Sequence, residues 1–515
     1  MRVGVDVGGT NTDAVLMDGA RVVAKAKTPT TPDVTGGVTA ALRRVLAASG
    51  VAAADVAAVM IGTTRFTNAV VERRELQPTA VVRLGLPATA AVPPLVDWPP
   101  ELRAAIGGRT YLCHGGHEFD GRPISPLDPD EIKRAGADIA ARGIAAVAVS
   151  AVFSPVDPGM EEQAADLLRA EAPGLSVTLS HEIGRLGLLE RENAATLNAC
   201  LRDLARETVA AFRRAIAELG LAAPLFLAQN DGTLMDASFA ERYPVLTFAS
   251  GPTNSMRGAA FLSGRRDAIV VDVGGTTTDV GVLRHGFPRE ASVAVEVGGV
   301  RTNLRMPDLV SVGLGGGSLV RTDPLAIGPR SVGYRLTEDA LVFGGGTLTA
   351  TDVAVAAGVA EVGDVGRVRR LDPALVRAAM ERIRGMAEEA VDRIKTSAEP
   401  VPVVVVGGGS VLLTGPLAGA AETVTPDHHE AANAVGAAIA QISGEVDRVY
   451  ALGATTREAA LEAAKAEAGE RAIAAGAAPG TVGVVDVEDV PLAYLPGNAT
   501  RIRVKAVGEW APARA

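Results

Sequence analysis

A chain of 515 residues allows two large domains and a small one. A net charge of −10 argues against a nucleic-acid partner, which needs a basic face, and no apolar run is long enough to span a membrane. With 48% apolar but only 3% aromatic residues, the core must be built from Ala, Val and Leu, and the 58 glycines point to tight turns and close helix packing.

Taken in chain order, residues 2–27 read as three short strands, the N-terminus entering the first without a signal peptide. The first turn spells Asp6-Val7-Gly8-Gly9-Thr10-Asn11-Thr12-Asp13. Asp33 is predicted to cap a helix to about residue 49, and 56–61 returns as a strand leading to Gly62-Thr63-Thr64 and Asn68. The Pro- and Gly-rich stretch 85–127 predicts loops. It contains Cys113-His114-Gly115-Gly116-His117, which resembles a metal string but lacks a second ligand pair; ordinary loop polarity is the favoured reading. Cys113 and Cys200 make no disulfide framework and fit a reduced, cytoplasmic protein.

Next come a strand at 144–152, a helix after Pro158 and a long helix over 186–219 that stops at Gly220 and is expected to carry the crossover between halves. Gln229-Asn230-Asp231-Gly232 reads as a tight turn. From 224 to 440 the theme repeats, and residues 268–271 lead into Asp272-Val273-Gly274-Gly275-Thr276-Thr277-Thr278-Asp279. A Gly-rich turn follows at 313–318, then a helix opened by Asp372-Pro373 and a β-branched strand ending in Gly407, Gly408 and Gly409. His428-His429-Glu430 reads as a polar helix entrance, 451–476 as an Ala-rich helix and 481–508 as strands.

The repeated phrase carries the chemistry. Seven of its eight positions are identical in the two copies. Each copy follows an apolar strand and precedes a second one, so each is a β-hairpin bent round an anion. Adjacent glycines let backbone N–H groups approach a phosphate, and the neighbouring Thr adds a hydroxyl. An Asp ending the first strand stands where bound phosphates need Mg²⁺, which keeps much of its water shell. Gly8, Gly9, Thr10, Asn11, Gly274, Gly275, Thr276 and Thr277 are the candidate phosphate contacts. Asp6 and Asp272 are the candidate metal residues and, with Thr10 and Thr276, the candidate catalytic ones. Asp279 can reach the metal shell, although it and Asp13 more simply fix the hairpins. Neither a Walker loop nor a dinucleotide fingerprint occurs. The bare backbone of Gly407, Gly408 and Gly409 suits a flat ring, and Gly315 and Gly316 suit either the γ-phosphate or the substrate side.

Phosphate hairpin, phosphate hairpin, Gly-rich adenosine turn: this order resembles the superfamily of sugar kinases, Hsp70 chaperones and actin. The wording resembles the hydantoinase/oxoprolinase family, in particular a short form of its ATP-binding A-type subunit. Gly62-Thr63-Thr64, Glu190-Arg191, Leu197-Asn198-Ala199, Ser250-Gly251-Pro252, Gly328-Pro329-Arg330 and Thr351-Asp352 also match. The family's His before the 313–318 turn is absent, and its S-G-P-A-G-G pattern reads Ser250-Gly251-Pro252-Thr253-Asn254-Ser255. These departures are expected to leave the ATP site intact and to bear on the substrate.

The resemblance implies an α/β fold: two ribonuclease-H-like domains of the actin, Hsp70 and sugar-kinase type around an ATP cleft, with a small C-terminal accessory unit. The expected boundaries are 1–185, 186–445 and 446–515. It implies ATP and Mg²⁺ as cofactors, and a cyclic amide or carbonyl substrate whose oxygen is phosphorylated to drive ring opening. Thr63, Thr64, Asn68 and Arg191 are the candidate substrate contacts. It further implies a B-type partner subunit within an oligomer. A small-molecule kinase acting on a hydroxyl and a non-catalytic ATP-driven switch are the alternatives.

Overall fold

The computed structural model describes residues 1–30, 34–291, 294–452, 455–492 and 499–510. Asp33 and part of the expected strand region 481–508 lie outside them.

Five sheets organise the chain. The first runs β22 (Gly483–Pro491), β23 (Ala499–Gly508), β21 (Gln441–Ala451), β10 (Thr233–Asp236), β9 (Leu225–Ala228), β4 (Ala58–Thr63), β1 (Arg2–Val7), β2 (Asn11–Asp18), β3 (Arg21–Pro29). Strands β1, β2 and β3 form two antiparallel hairpins, while β4 and β9 continue parallel to β1. The second sheet runs β13 (Phe287–Pro288), β12 (Thr278–Arg284), β11 (Ala268–Val273), β19 (Val401–Val406), β20 (Ala420–Val424), with β16 (Leu309–Val312) also on β12. Its β11 pairs antiparallel with β12 and parallel with β19. Both sheets therefore have a hairpin followed by parallel strands on the far side of strand one, the ribonuclease-H-like order. All six residues of β4 and the last four of β19 are buried, as their unbroken apolar runs require.

A third, all-parallel sheet runs β6 (Arg109–His114), β5 (Thr79–Leu86), β7 (Ala146–Ala151), β8 (Ser176–Leu179). The stretch read as loops thus contains a strand, whose sequence Arg109-Thr-Tyr-Leu-Cys-His is too polar to announce one. Two small antiparallel pairs, β14 (Val295–Val297) with β15 (Val300–Thr302) and β17 (Ser318–Thr322) with β18 (Leu325–Ser331), complete the set.

Backbone pairing crosses the expected boundaries at 185 and 445. β9 and β10, placed by sequence in the second domain, belong to the first sheet, and the C-terminal strands extend that sheet's edge. The reason is that β10 offers a parallel edge to β21.

Helices fill the layers. α1 (Val34–Ser49) and α6 (Leu188–Glu218) cover the first sheet. α6 also faces the parallel sheet, through Ala195 and Ala199 against Ala146 and Ala148. It is buried on every side from Arg191 to Leu201, as a helix between two sheets must be. α4 (Pro129–Ala141) and α5 (Gly159–Glu171) pack together beside the parallel sheet. α10 (Ala350–Ala356) and α11 (Pro373–Ile394) cover the second sheet, and α13 (Arg457–Ala474) covers the C-terminal strands. Short helices α2 (Arg65–Glu72), α3 (Pro100–Ala105), α7 (Ala237–Arg242) and α9 (Leu336–Asp339) serve as links.

Between the first and second sheets lie α8 (Ser250–Ser263) and α12 (Ala432–Ile439), packed against each other. A Cβ on Gly258 would lie 1.9 Å from the Ala432 carbonyl oxygen, and one on Gly436 would lie 1.8 Å from that of Asn254. Only glycine permits this backbone approach, which draws the two sheets together and brings their hairpins face to face.

Candidate functional site

Both hairpins close identically. Gly8 N–H donates to the Asn11 carbonyl at 3.0 Å, and Gly274 N–H donates to that of Thr277 at 2.8 Å. Asn11 and Thr277 thus shape the turns through their carbonyls. Among the described residues, the N–H groups of Gly9, Thr10, Gly275 and Thr276 have no acceptor. They are the donors an anion would take. The turns meet each other: a Cβ on Gly275 would lie 3.0 Å from Thr10 Oγ1, whereas one on Gly9 meets nothing within 4 Å.

Strand register sets the carboxylates in pairs, Asp6 opposite Asp13 and Asp272 opposite Asp279. Asp6 is 4% exposed; Asn433 Nδ2 donates to its Oδ2 at 3.2 Å, while its buried Oδ1 has no partner. Burial, then Asp13, push the Asp6 pKa to about 7, with Asp272 adding to the shift. Burial, then Asp279, push Asp272 to about 7 as well. Burial raises Asp13 and Asp279 too. Asp279 accepts a hydrogen bond from Ser311 Oγ. The unpartnered Asp6 Oδ1 is a hard oxygen donor of the kind a divalent cation takes while keeping much of its water shell.

The glycine turns are divided in role. Gly315 backs onto the second hairpin, where a Cβ would lie 2.5 Å from Thr276 N. Gly316 N–H donates to the Gly274 carbonyl at 3.0 Å, and Thr351 Oγ1 donates to the Gly316 carbonyl. Both glycines therefore brace the hairpin from behind. Gly407 adopts φ +91°, with its Cβ position only 2.3 Å from Asp272 Oδ1, and Gly409 N–H donates to the Val273 carbonyl at 2.7 Å. Gly408 is the least crowded of the three, its Cβ position 3.7 Å from Lys27 Nζ, and beyond this turn lies a 490 Å³ cavity lined by Ser410, Val411, Leu413, Thr425 and His429.

Thr63 and Thr64 end β4 beside the first hairpin; Thr63 pairs with Val7 in register, and Thr64 Oγ1 lies 3.4 Å from the Val7 carbonyl. Asn68 Nδ2 donates to Thr64 Oγ1. Arg191 is placed otherwise than the sequence reading expects. It is fully buried, and its guanidinium donates to Ser180 Oγ and to the carbonyls of Ala151, Arg185 and Leu186. That leaves it anchoring a loop rather than facing a ligand. The Cys113 string also disperses. His114 pairs with Glu131 at 2.9 Å, His117 lies 3.5 Å from Asp157, and Cys113 is buried with its thiol pushed up to about 12. Among the described residues no three His, Cys, Asp or Glu gather to hold a metal, and no helix is long and apolar enough to cross a membrane.

Sequence reasoning missed Lys27, Asn254, Ser255 and Asn433. Lys27 on β3 is 2.7 Å from Asp13 and 3.7 Å from the Cβ position of Gly408 across the cleft. It lowers the pKa of Asp6, Asp13 and Asp272. The signal was present: Lys27 follows Lys25 by the strand period of two, facing the same side. Asn254 and Ser255 replace family glycines, and they stand beside the aspartates. A Cβ on Gly62 would lie 2.5 Å from Asn254 Nδ2 and 2.8 Å from Asp6 Oδ1, while Ser255 lowers the Asp272 pKa. The sequence reading expects these departures to leave the ATP site intact and bear on the substrate; the structure places Asn254 and Ser255 beside the hairpin aspartates.

Two models of the hydantoinase/oxoprolinase family match, its N-terminal region over residues 2–172 and its second region over 191–401. The chain belongs to the hydantoinase/oxoprolinase family. Each family region contributes one hairpin. Among relatives, the caprolactamase alpha subunit of Pseudomonas jessenii is 29% identical over 417 residues, 75% of this chain and 58% of that one. The acetophenone carboxylase gamma subunit of Aromatoleum aromaticum is 27% identical over 394 residues, 69% of this chain and 53% of that one. The chain thus spans little more than half the length of these relatives. Two solved structures share the fold, each at 19% identity. The ATP-dependent caprolactamase from Pseudomonas jessenii has a TM-score of 0.78 over 99% of this chain and 88% of its own. Nucleotide-free acetone carboxylase has a TM-score of 0.70 over 100% and 88%.

Proposed function

We propose that this hydantoinase/oxoprolinase chain binds Mg-ATP between its two hairpins and phosphorylates the oxygen of an amide or carbonyl substrate, most simply a cyclic amide whose ring then opens. The observation that carries the reading is the pair of matched turns, each with free N–H donors beside a strand-ending aspartate, Asp6 buried and Asp272 half-buried. Gly9, Thr10, Gly275 and Thr276 would hold phosphates. The 490 Å³ cavity beyond Gly408 and Gly409 would take the base. Asp6 and Asp272, with Asp279 in reach, would hold Mg²⁺ through its waters; the cation would neutralise the charge that builds on the phosphates.

An amide is a weak electrophile. Phosphorylating its oxygen makes the carbon electrophilic; water adds there, the ring C–N bond breaks with the nitrogen taking a proton, and a second water releases phosphate from the resulting acyl phosphate to leave the acid. A carbonyl oxygen carries no proton, so the first step needs positioning and charge neutralisation rather than a base. The relatives are named as alpha and gamma subunits, which supports a partner that delivers the water. One observation favours a second reading: Asp272, with its pKa at about 7, is suited to deprotonate a hydroxyl, as a small-molecule kinase requires.

The test is ADP release by the purified chain across cyclic and linear amides, with and without proteins encoded beside it, followed by product separation. Ring-opened acid with ADP and phosphate is the expected result. A stable phosphorylated alcohol establishes the kinase instead.

A further inference from the structure

A second cavity, of 410 Å³, lies away from the hairpins, at the seam between the parallel sheet and the C-terminal strands. Ser154 and Pro155 form one wall, just past the carboxyl end of β7; His181, Gly184 and Arg185 form another, just past that of β8. Asp447 and Arg448 on β21, Arg501 on β23 and Arg471 on α13 close the far side. Crevices outside the carboxyl ends of parallel strands are where open α/β sheets bind their ligands.

The lining is cationic in an acidic protein. Arg185, Arg448, Arg471, Arg501 and His181 line the cavity with one acid, Asp447, which Arg501 engages through Nε at 2.7 Å; at the rim Glu467 pairs with Arg448 at 3.2 Å and with Arg471 at 2.7 Å. Arg185 Nη2 donates to Glu290 at 3.3 Å, while its Nε is buried without a hydrogen-bond acceptor, 4.0 Å from an Asp447 carboxylate oxygen. Burial lowers the Arg185 pKa, the Glu290 carboxylate opposes that, and the like charges of Arg503 and Arg501 add to the lowering.

The imidazole of His181 is built in. Its Nδ1 is 2.7 Å from Glu161, whose fully buried carboxylate also accepts from the Ala151 N–H, the His181 N–H and Ser180 Oγ. Those donors keep Glu161 ionised. Burial opposes protonation of His181, but the Glu161 carboxylate more than offsets it and raises the pKa. His181 thus presents a fixed ring that carries positive charge more readily than a free histidine.

We propose that this seam is a binding site for a small anion, a carboxylate- or phosphate-bearing molecule, held by His181, Arg185 and Arg448. His181 and Arg185 fall between the two family regions, and Arg448, Arg471 and Arg501 lie beyond the second, so the family assignment does not account for them. The inference is independent of the nucleotide reading, because no residue of either hairpin takes part.

Calorimetry on the full chain tests it, with Mg²⁺ and a non-hydrolysable ATP analogue at saturation so that phosphate cannot report on the hairpins. Acetate and inorganic phosphate are titrated separately. Saturable binding of at least one is expected, weakened about tenfold in both His181→Gln and Arg448→Gln, the size of one lost charge-assisted contact. Acetate alone assigns a carboxylate ligand, phosphate alone a phosphoryl one. Arg448 is half-exposed, so its variant should remain folded even if His181→Gln does not. In the wild-type protein the His181 ring resonances should shift along the same titration. Absence of saturable binding, unchanged affinity in the Arg448 variant, or unmoved His181 resonances overturns the proposal.

Discussion

The first and second hairpins carry nearly the same phrase in different surroundings. Behind the second stand two glycine turns, with Gly315 against Thr276 N and Gly409 against the Gly274 carbonyl, so its backbone has nowhere to go. The first is held instead from just past β3, Thr30 N–H donating to the Thr10 carbonyl at 3.0 Å and Thr30 Oγ1 to that of Gly8 at 2.7 Å, and a Cβ on Gly9 would meet nothing within 4 Å. The carboxylates differ as well. Asp13 is held by a cation, Lys27, whereas Asp279 is held by a hydroxyl, Ser311. Local sequence sets the turn and the facing carboxylates; the neighbours make the second copy a fixed wall backed by glycine turns and tie the first to the end of β3.

The sharpest way to break this comparison is through its aspartates. Asp272→Asn, at the fixed wall, should reduce Mg-dependent ATP turnover by about 100- to 1000-fold, roughly the 2–4 kcal/mol of one electrostatic contact in a closed site. Steady-state ADP release, with circular dichroism confirming the fold, checks it. Near-normal turnover in a folded variant would defeat the metal assignment.

The pH dependence should be nearly as large. Asp6 and Asp272 must ionise to hold Mg²⁺, and both titrate at about 7 in the free protein. Mg²⁺ affinity should therefore fall with acidification below pH 7, by about tenfold per unit for each aspartate involved. Stability has the opposite sign. Both folded pKa values lie above the ordinary 3.8. Their favourable contribution is complete below that value and is lost as pH rises through about 7. Nucleotide-free Asp6→Asn should accordingly gain in Tm relative to wild type as pH climbs from 4 to 8; a constant difference refutes the shift.

Glycine substitutions contrast the two tips directly. Gly275→Val should weaken ATP binding at least about tenfold, or 1.4 kcal/mol, because its side chain enters the space between the turns. Gly9→Ala meets no protein atom and should leave Tm unchanged, so any loss of ATP affinity there reports on the ligand alone. Equal melting and equal affinity in both variants would mean that neither tip touches phosphate.

The smallest expected effect is at Lys27. Lys27→Met should lower turnover a few-fold and move the acidic limb of the pH–rate profile upward, since a cation that lowers both aspartate pKa values is gone. Lys27→Arg should restore most of the profile. An unmoved limb would show that the lysine only ties down Asp13.

Much of the fold was legible because its signals are local. Alternating and continuous apolar runs mark β1, β4, β11 and β19, and a Gly stop marks the end of α6. The hairpin residues Asp6, Gly8, Gly9, Thr10, Asp272, Gly274, Gly275 and Thr276 were legible for the same reason, since a turn that binds an anion is written within eight residues. What depends on distant partners was not. That β9 and β10 join the first sheet depends on pairing with β4 and β21, hundreds of residues apart in places. Arg191 sits within a motif-like phrase, yet burial turns it inward onto carbonyls. Asn254, Ser255 and Asn433 come to the aspartates only because α8 and α12 touch through Gly258 and Gly436. The sequence by itself determined two matched glycine turns and their facing carboxylates, because backbone conformation and strand alternation are short-range. Only the tertiary structure decided what braces each turn, which cation faces the acids and where the cationic cavity forms, because burial and charge coupling depend on neighbours the chain brings together from afar.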